Sequence, residues 1–110
     1  MRSVKKSNSW KVRNMLFAAM CFDKDDGLET RLANREGHFA HLKGHTDKIV
    51  LGGPFMSDDG KNPIGSMLIF DAESLDEVET ILQNDPYSKA GLFKSVEIKP
   101  WNWTVKNPEG

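Results

Sequence analysis

GSMLIFDAESLDEVETILQNDPY, residues 65–87, is the stretch that decides the fold. Its opening, residues 65–71, reads as a strand. Met67 and Ile69 point to one face and Leu68 and Phe70 to the other, so both faces are apolar. The spacing then changes. Ser74 followed by Glu77 is a capping box. Leu75, Val78, Ile81 and Leu82 fall on one stripe, which predicts a helix over 74–84. Asp85-Pro86-Tyr87 must end it, because Pro86 pushes the residue before it out of helical space.

Working outward, residues 16–22, LFAAMCF, are an apolar run too short for a core helix and read as a buried strand opened by Met15. Residues 23–27 form a polar turn. From Leu28 to about Gly44 the spacing is helical, with Leu28, Leu32, Phe39 and Leu42 on one stripe and Arg35 among them. Asp25 or Asp26 is the expected cap, and Glu29 suits the first turn. Gly37 and Gly44 are weak points in this helix. Residues 48–53, KIVLGG, predict a strand ending at Gly52-Gly53-Pro54, followed by a polar connection to Pro63. After a turn around Lys89–Leu92, residues 93–99 alternate as a last strand that Pro100 stops.

The order is βαββαβ, a ferredoxin-like α+β unit with a four-stranded antiparallel sheet. Its helices cover one sheet face only. The second apolar face predicts a homodimer packed sheet to sheet into an α+β barrel, with assembly above the dimer left open.

The 110 residues hold fifteen Lys+Arg against sixteen Asp+Glu, a net charge of −1. That balance hides a split. Residues 1–14 carry Arg2, Lys5, Lys6, Lys11 and Arg13 and no acid, so the ten basic and sixteen acidic residues of 15–110 leave it at −6. A folded part this acidic argues against a nucleic-acid partner. The leader is expected to be disordered or an upstream start rather than a transit peptide, with 15–101 the domain and 102–110 a tail. No apolar run approaches the roughly 20 residues of a membrane helix, so no membrane partner is expected. Cys21 is the only cysteine, which excludes an intrachain disulfide and a cysteine zinc cluster. A reducing, cytoplasmic setting follows as the expectation.

Three histidines, His38, His41 and His45, lie on or near the first predicted helix within a narrow arc. Their spacing allows a metal site, but no glutamate-flanked zinc motif is present and none is expected. A narrower reading makes His38 a general base beside a pocket, because its pKa lies near physiological pH. Asp58 and Asp59 are good turn residues, and either is also the right group to orient a histidine. Arg31 or Arg35 can grip a substrate carboxylate or phenolate bidentately. Gly65-Ser66 can bring a hydroxyl to a substrate oxygen. Cys21 reads as a small core residue, and Trp10, Trp101 and Trp103 as packing or interface anchors.

Taken in order, Arg31-Leu32 with Arg35, His38 and Leu42, then Leu51-Gly52-Gly53-Pro54 with Asp58-Asp59, Gly65-Ser66, Asp85-Pro86-Tyr87, Ala90-Gly91-Leu92 and Lys99-Pro100-Trp101 resemble the YciI-like family of small bacterial proteins. The likeness covers about residues 15–101. It implies a ferredoxin-like fold that dimerises as in muconolactone isomerase. It also implies a His–Asp pair in a pocket between sheet and helices. The family histidine matches His38, and the aspartate matches Asp58 or Asp59. The best-defined chemistry of the family is dehydrochlorination of a chlorinated hydroxyhydroquinone. The chain departs from the pattern in its short loop after Pro54, its leader, and the added His41 and His45.

The expected function is cofactor-independent acid–base chemistry, an elimination, dehydrochlorination or isomerisation, on a small aromatic or enol-type acid. His38 moves the proton, Asp58 or Asp59 supports it, and Arg31, Ser66 and Tyr87 bind the substrate. No nucleotide, flavin or haem motif is visible. The alternative is a dimeric small-ligand-binding or stress-response module without catalysis.

Overall fold

The computed structural model describes residues 15–108. The leader and Trp10 lie outside them. The elements are β1 (Met15–Asp23), α1 (Leu28–Lys43), β2 (Ile49–Met56), β3 (Pro63–Ala72), α2 (Leu75–Gln83), the short α3 (Pro86–Lys89) and β4 (Phe93–Pro100). They form one antiparallel sheet in the order β2-β3-β1-β4. This is the βαββαβ arrangement that residues 65–87 pointed to, with α3 added.

Register sorts the side chains. Phe17 pairs with Phe70, Ala19 with Leu68 and Cys21 with Ser66. This row faces the helices, and Phe17, Ala19, Cys21, Leu68, Phe70 and Ala72 join Val78, Ile81 and Leu82 of α2 in the core. Each large apolar side chain removed from water there contributes about 1.5–3 kcal/mol. The opposite row, with Met20, Phe22, Leu51 and Met67, looks away from the helices. Phe22 and Phe55 stack across it at 5.0 Å. Both pair with Gly65 of β3, and a Cβ on Gly65 would meet the Cys21 carbonyl and lie 3.3 Å from the Phe55 ring. Only glycine lets the two phenyl rings close over that strand.

Ser74 caps α2 as expected, accepting from Glu77 N–H at 3.2 Å, while the Glu77 carboxylate accepts from Glu73 N–H at 3.0 Å. Three expectations are corrected. Helix α1 begins after Gly27 with no side-chain cap. A backbone turn from Gly27 N–H to the Lys24 carbonyl opens it instead, and Asp25 and Asp26 stay exposed. β2 does not stop at Pro54 but runs to Met56. Pro54 is tolerated because β2 is an edge strand, where a missing N–H leaves no ladder bond unmade. Finally, Asp85-Pro86-Tyr87 does not merely end α2. It starts α3, with Pro86 in the first turn.

Candidate active site

The stripe of α1 does not do what an amphipathic helix usually does. Its buried residues are Arg31 and His38, whereas Leu32 and Phe39 are 56% and 52% exposed. Leu32, Phe39 and Leu42 of the apolar stripe line a cavity of about 640 Å³, and of these Leu42 also packs against the core. Arg31, Leu32, Arg35, His38, Phe39 and Leu42 form its helix wall. Gly52, Gly53 and Pro54 of β2 and Ser66 and Leu68 of β3 form the opposite wall. This size is within the range of small-molecule sites.

The wall is braced from behind. Arg31 Nε donates to Asp23 Oδ2 at 2.7 Å, and its Nη2 donates to Asp23 Oδ1 and Ser66 Oγ, both at 3.0 Å. Its guanidinium also lies 4.6 Å from the centroid of the Tyr87 ring. Burial works against the Arg31 charge. The hydrogen-bonded carboxylate of Asp23 more than offsets that, so the Arg31 pKa is raised. Arg31 therefore ties α1 to the end of β1 and the start of β3.

One face of α1 carries both Arg31 and His38, because seven residues make two turns. The His38 ring stacks on Tyr87 at 3.9 Å between centroids, with 13° between planes. His38 Nδ1 lies 2.7 Å from Asp85 Oδ2. The other Asp85 oxygen accepts from Tyr87 N–H at 2.9 Å, which makes Asp85 the N-cap of α3. The local sequence explains this double use. Pro86 holds Asp85 extended, at φ −68° and ψ 133°, and offers no N–H of its own. The carboxylate then reaches the next N–H with one oxygen and leaves the other for the histidine. Gly37 allows α1 to come this close. A Cβ there would sit 3.3 Å from Pro86 Cγ.

An ionised carboxylate only accepts, so the proton of this bond sits on His38 Nδ1 and the ring turns Nε2 away from Asp85. No contact within the described residues occupies Nε2. Tyr87 is 1% exposed. Burial raises its pKa, Asp85 adds to the rise, and Arg31 opposes it, so the ring stays a neutral phenol. Cys21 lies beneath the site in β1, its thiol pushed up to about 12 by burial. It is a core group and no nucleophile.

Asp58 and Asp59 are not at His38. They lie exposed in the turn between β2 and β3. Asp59 accepts from Ser57 Oγ at 2.6 Å and from Lys61 N–H at 3.0 Å, and these bonds hold its carboxyl below the ordinary value. Extension of β2 to Met56 carries both aspartates past the cavity. Ser66 and Tyr87 do line the cavity, as does Arg31, but Ser66 is engaged by Arg31. The histidines do not converge on a metal. His41 Nε2 is 2.8 Å from the Ile81 carbonyl, and its ring meets His45 edge-on. No group of three or more metal-binding side chains exists among the described residues. Asp23 and Asp85 are the two buried carboxylates bonded to cavity-lining side chains that sequence reasoning missed. The signal for Asp85 was its place before Pro86. For Asp23 it was a carboxylate at the end of a buried strand.

A family profile described as the YCII-related domain matches residues 15–102. The chain is 34% identical over 94 residues to "Protein YciI" of Escherichia coli, covering 79% of this chain and 96% of that protein. It is 33% identical over 94 residues to an uncharacterised protein of Haemophilus influenzae, with the same 79% and 96% coverage. Among solved structures it resembles the 5-chloro-2-hydroxyhydroquinone dehydrochlorinase TftG of Burkholderia phenoliruptrix AC1100, in complex with 2,5-dihydroxybenzoquinone. The TM-score is 0.77 and the identity 38%, over 84% of this chain and 99% of that one.

Proposed function

The chain belongs to the YCII-related family, and on that premise we propose that it is a cofactor-independent acid–base enzyme acting on a small hydroxylated aromatic or enol-type acid. One observation carries this reading. A histidine with one nitrogen on a buried carboxylate, 2.7 Å away, has its other nitrogen unengaged on the wall of a cavity. The relationship to a dehydrochlorinase supports elimination of a hydrogen halide as the reaction class, with isomerisation as the related proton transfer.

The roles follow from chemistry. In a halogenated hydroxyarene, one hydroxyl proton moves to the carbon bearing the halogen, with no net change. His38 Nε2 then takes the proton of a second hydroxyl. That O–H pair moves through the ring, and halide leaves with the pair of the broken carbon–halogen bond. The sum is loss of one proton and one halide, and the ring emerges as a quinone without an outside oxidant. Asp85 fixes the tautomer and stabilises the imidazolium. Tyr87 holds the imidazole plane from one side. Positioned acid–base help of this type contributes about 10²–10⁴-fold.

The reading includes a homodimer formed through the outer sheet face. The support is its apolar row, with Leu51 38% and Phe22 37% exposed.

The test is turnover of 5-chloro-2-hydroxyhydroquinone and a panel of halogenated hydroquinones and lactones by the parent and His38→Asn. Loss of at least about 10²-fold in kcat with unchanged fold is expected. Turnover unaffected by the substitution removes His38 from the chemistry. Ligand binding without any turnover in the parent makes the protein a binding module.

A further inference from the structure

Charge within the cavity is unevenly used. Three basic side chains line it, Arg31, Arg35 and Lys43, and among the described residues no carboxylate does. Arg31 is spent, because both oxygens of Asp23 face its guanidinium and the pair is 5% and 4% exposed. Arg35 is not spent. Its helix neighbours at three and four residues are Leu32, His38, Arg31 and Phe39, none of them acidic. Its guanidinium carbon lies 5.2 Å from the centroid of the Phe39 ring, and its charge also acts on the Tyr87 hydroxyl. No carboxylate lies within ion-pair distance among the described residues, and the same holds for Lys43.

A guanidinium resting on an aromatic ring is held in place while its in-plane N–H donors stay free. That arrangement suits a planar anion, which a bidentate fork grips better than a point charge does. Lys43, two helical turns beyond, adds positive field without fixing orientation. Arg35 precedes His38 by three residues on the same wall. Such neighbours stand about 5–6 Å apart at Cβ, comparable to the width of a six-membered ring.

From this we infer that Arg35, backed by Lys43, is the anion-recognition subsite of the cavity, and that the substrate carries a second acidic oxygen, a carboxylate or an acidic enol or phenol. This oxygen stands across one ring from the atom on which His38 acts. The inference rests on the proposed acid–base function. It changes the division of labour between the two arginines: Arg31 is a brace for the wall, and Arg35 selects the ligand.

The experiment measures equilibrium binding of 2,5-dihydroxybenzoquinone, an acidic planar ring, to the full chain and to Arg35→Gln, Arg35→Lys and His38→Asn. Arg35→Gln is expected to weaken binding about 10- to 100-fold, as loss of a hydrogen bond to a charged group does. Arg35→Lys is expected to recover part of that loss, and added salt to weaken the parent more than Arg35→Gln. His38→Asn is expected to bind nearly as the parent does while losing turnover. Binding by Arg35→Gln within about twofold of the parent overturns the inference. So does an Arg35→Lys variant no better than Arg35→Gln, and so does a parent that does not bind the quinone. Turnover that survives His38→Asn overturns the proposed chemistry instead, and leaves the Arg35 measurement to be judged on its own.

Discussion

At the scale of single residues, the site depends on one aspartate with two tasks. Asp85 caps α3 with one oxygen and holds His38 with the other. Asparagine caps a helix about as well as aspartate, so Asp85→Asn separates the tasks. Its carbonyl oxygen can still serve Tyr87 N–H, but its amide turns a donor toward His38 and favours the wrong tautomer. We expect kcat to fall by about 10²–10⁴-fold with circular dichroism and Tm close to the parent. Asp58→Asn and Asp59→Asn should leave kcat unchanged, since both aspartates are exposed in a turn and neither lines the cavity. The same steady-state assay checks all three. His38 was legible in the sequence because it stands on a predicted helix whose stripe could border a pocket, and because it matches the family histidine. Its partner was not legible. Asp-Asp-Gly and Asp-Pro-Tyr are both good turn sequences, and only the extension of β2 shows which one reaches the helix.

At the scale of elements, α1 is attached through polar contacts at its first turn and its middle. His38 and Gly37 bring it against α3, and Arg31 crosses to β1 and β3. Hydrophobic spacing predicted the helix itself and most of its extent. It did not tell a stripe that faces a core from one that faces a cavity, because both need the same apolar residues. The difference lies in Arg31, which reads as a surface cation until Asp23 is placed opposite it. Removing one partner of a buried pair leaves a charge without compensation. Asp23→Ala is therefore expected to cost about 3 kcal/mol or more in stability, read from urea unfolding. Replacing both charges, with Asp23→Leu and Arg31→Met together, is expected to recover much of that loss. It should not restore activity, because Ser66 and Tyr87 lose the group that orients them. Equal destabilisation by the single and double variants would show that the pair matters as shape and not as charge.

At the scale of the whole molecule, the sheet is solid on one half and hollow on the other. Phe17 and Phe70 lie beneath α2 and meet its Val78, and beneath α1 lies the cavity. A domain of this size has little core to spare. The apolar row on its far face is a second reservoir of burial. That face was legible from Met67 and Ile69 alternating with Leu68 and Phe70, since a strand with two apolar sides needs two covers. Met67 stands near the middle of the row, on a central strand and partly exposed, opposite Met20 and Gly53. Met67→Lys should be tolerated by a single chain, because the ammonium can reach water past its neighbours. Pressed against a second copy, the same charge would lie near its own symmetry mate and lose its hydration. We expect the parent to sediment as a dimer at micromolar concentration and Met67→Lys to sediment as a monomer. A parent that is already monomeric, or a variant that remains dimeric, removes the outer face from the assembly. If the monomeric variant keeps the parent's kcat, the cavity is complete within one chain. If it loses activity while its unfolding transition stays cooperative, the dimer also holds the wall that α1 leaves thinly supported.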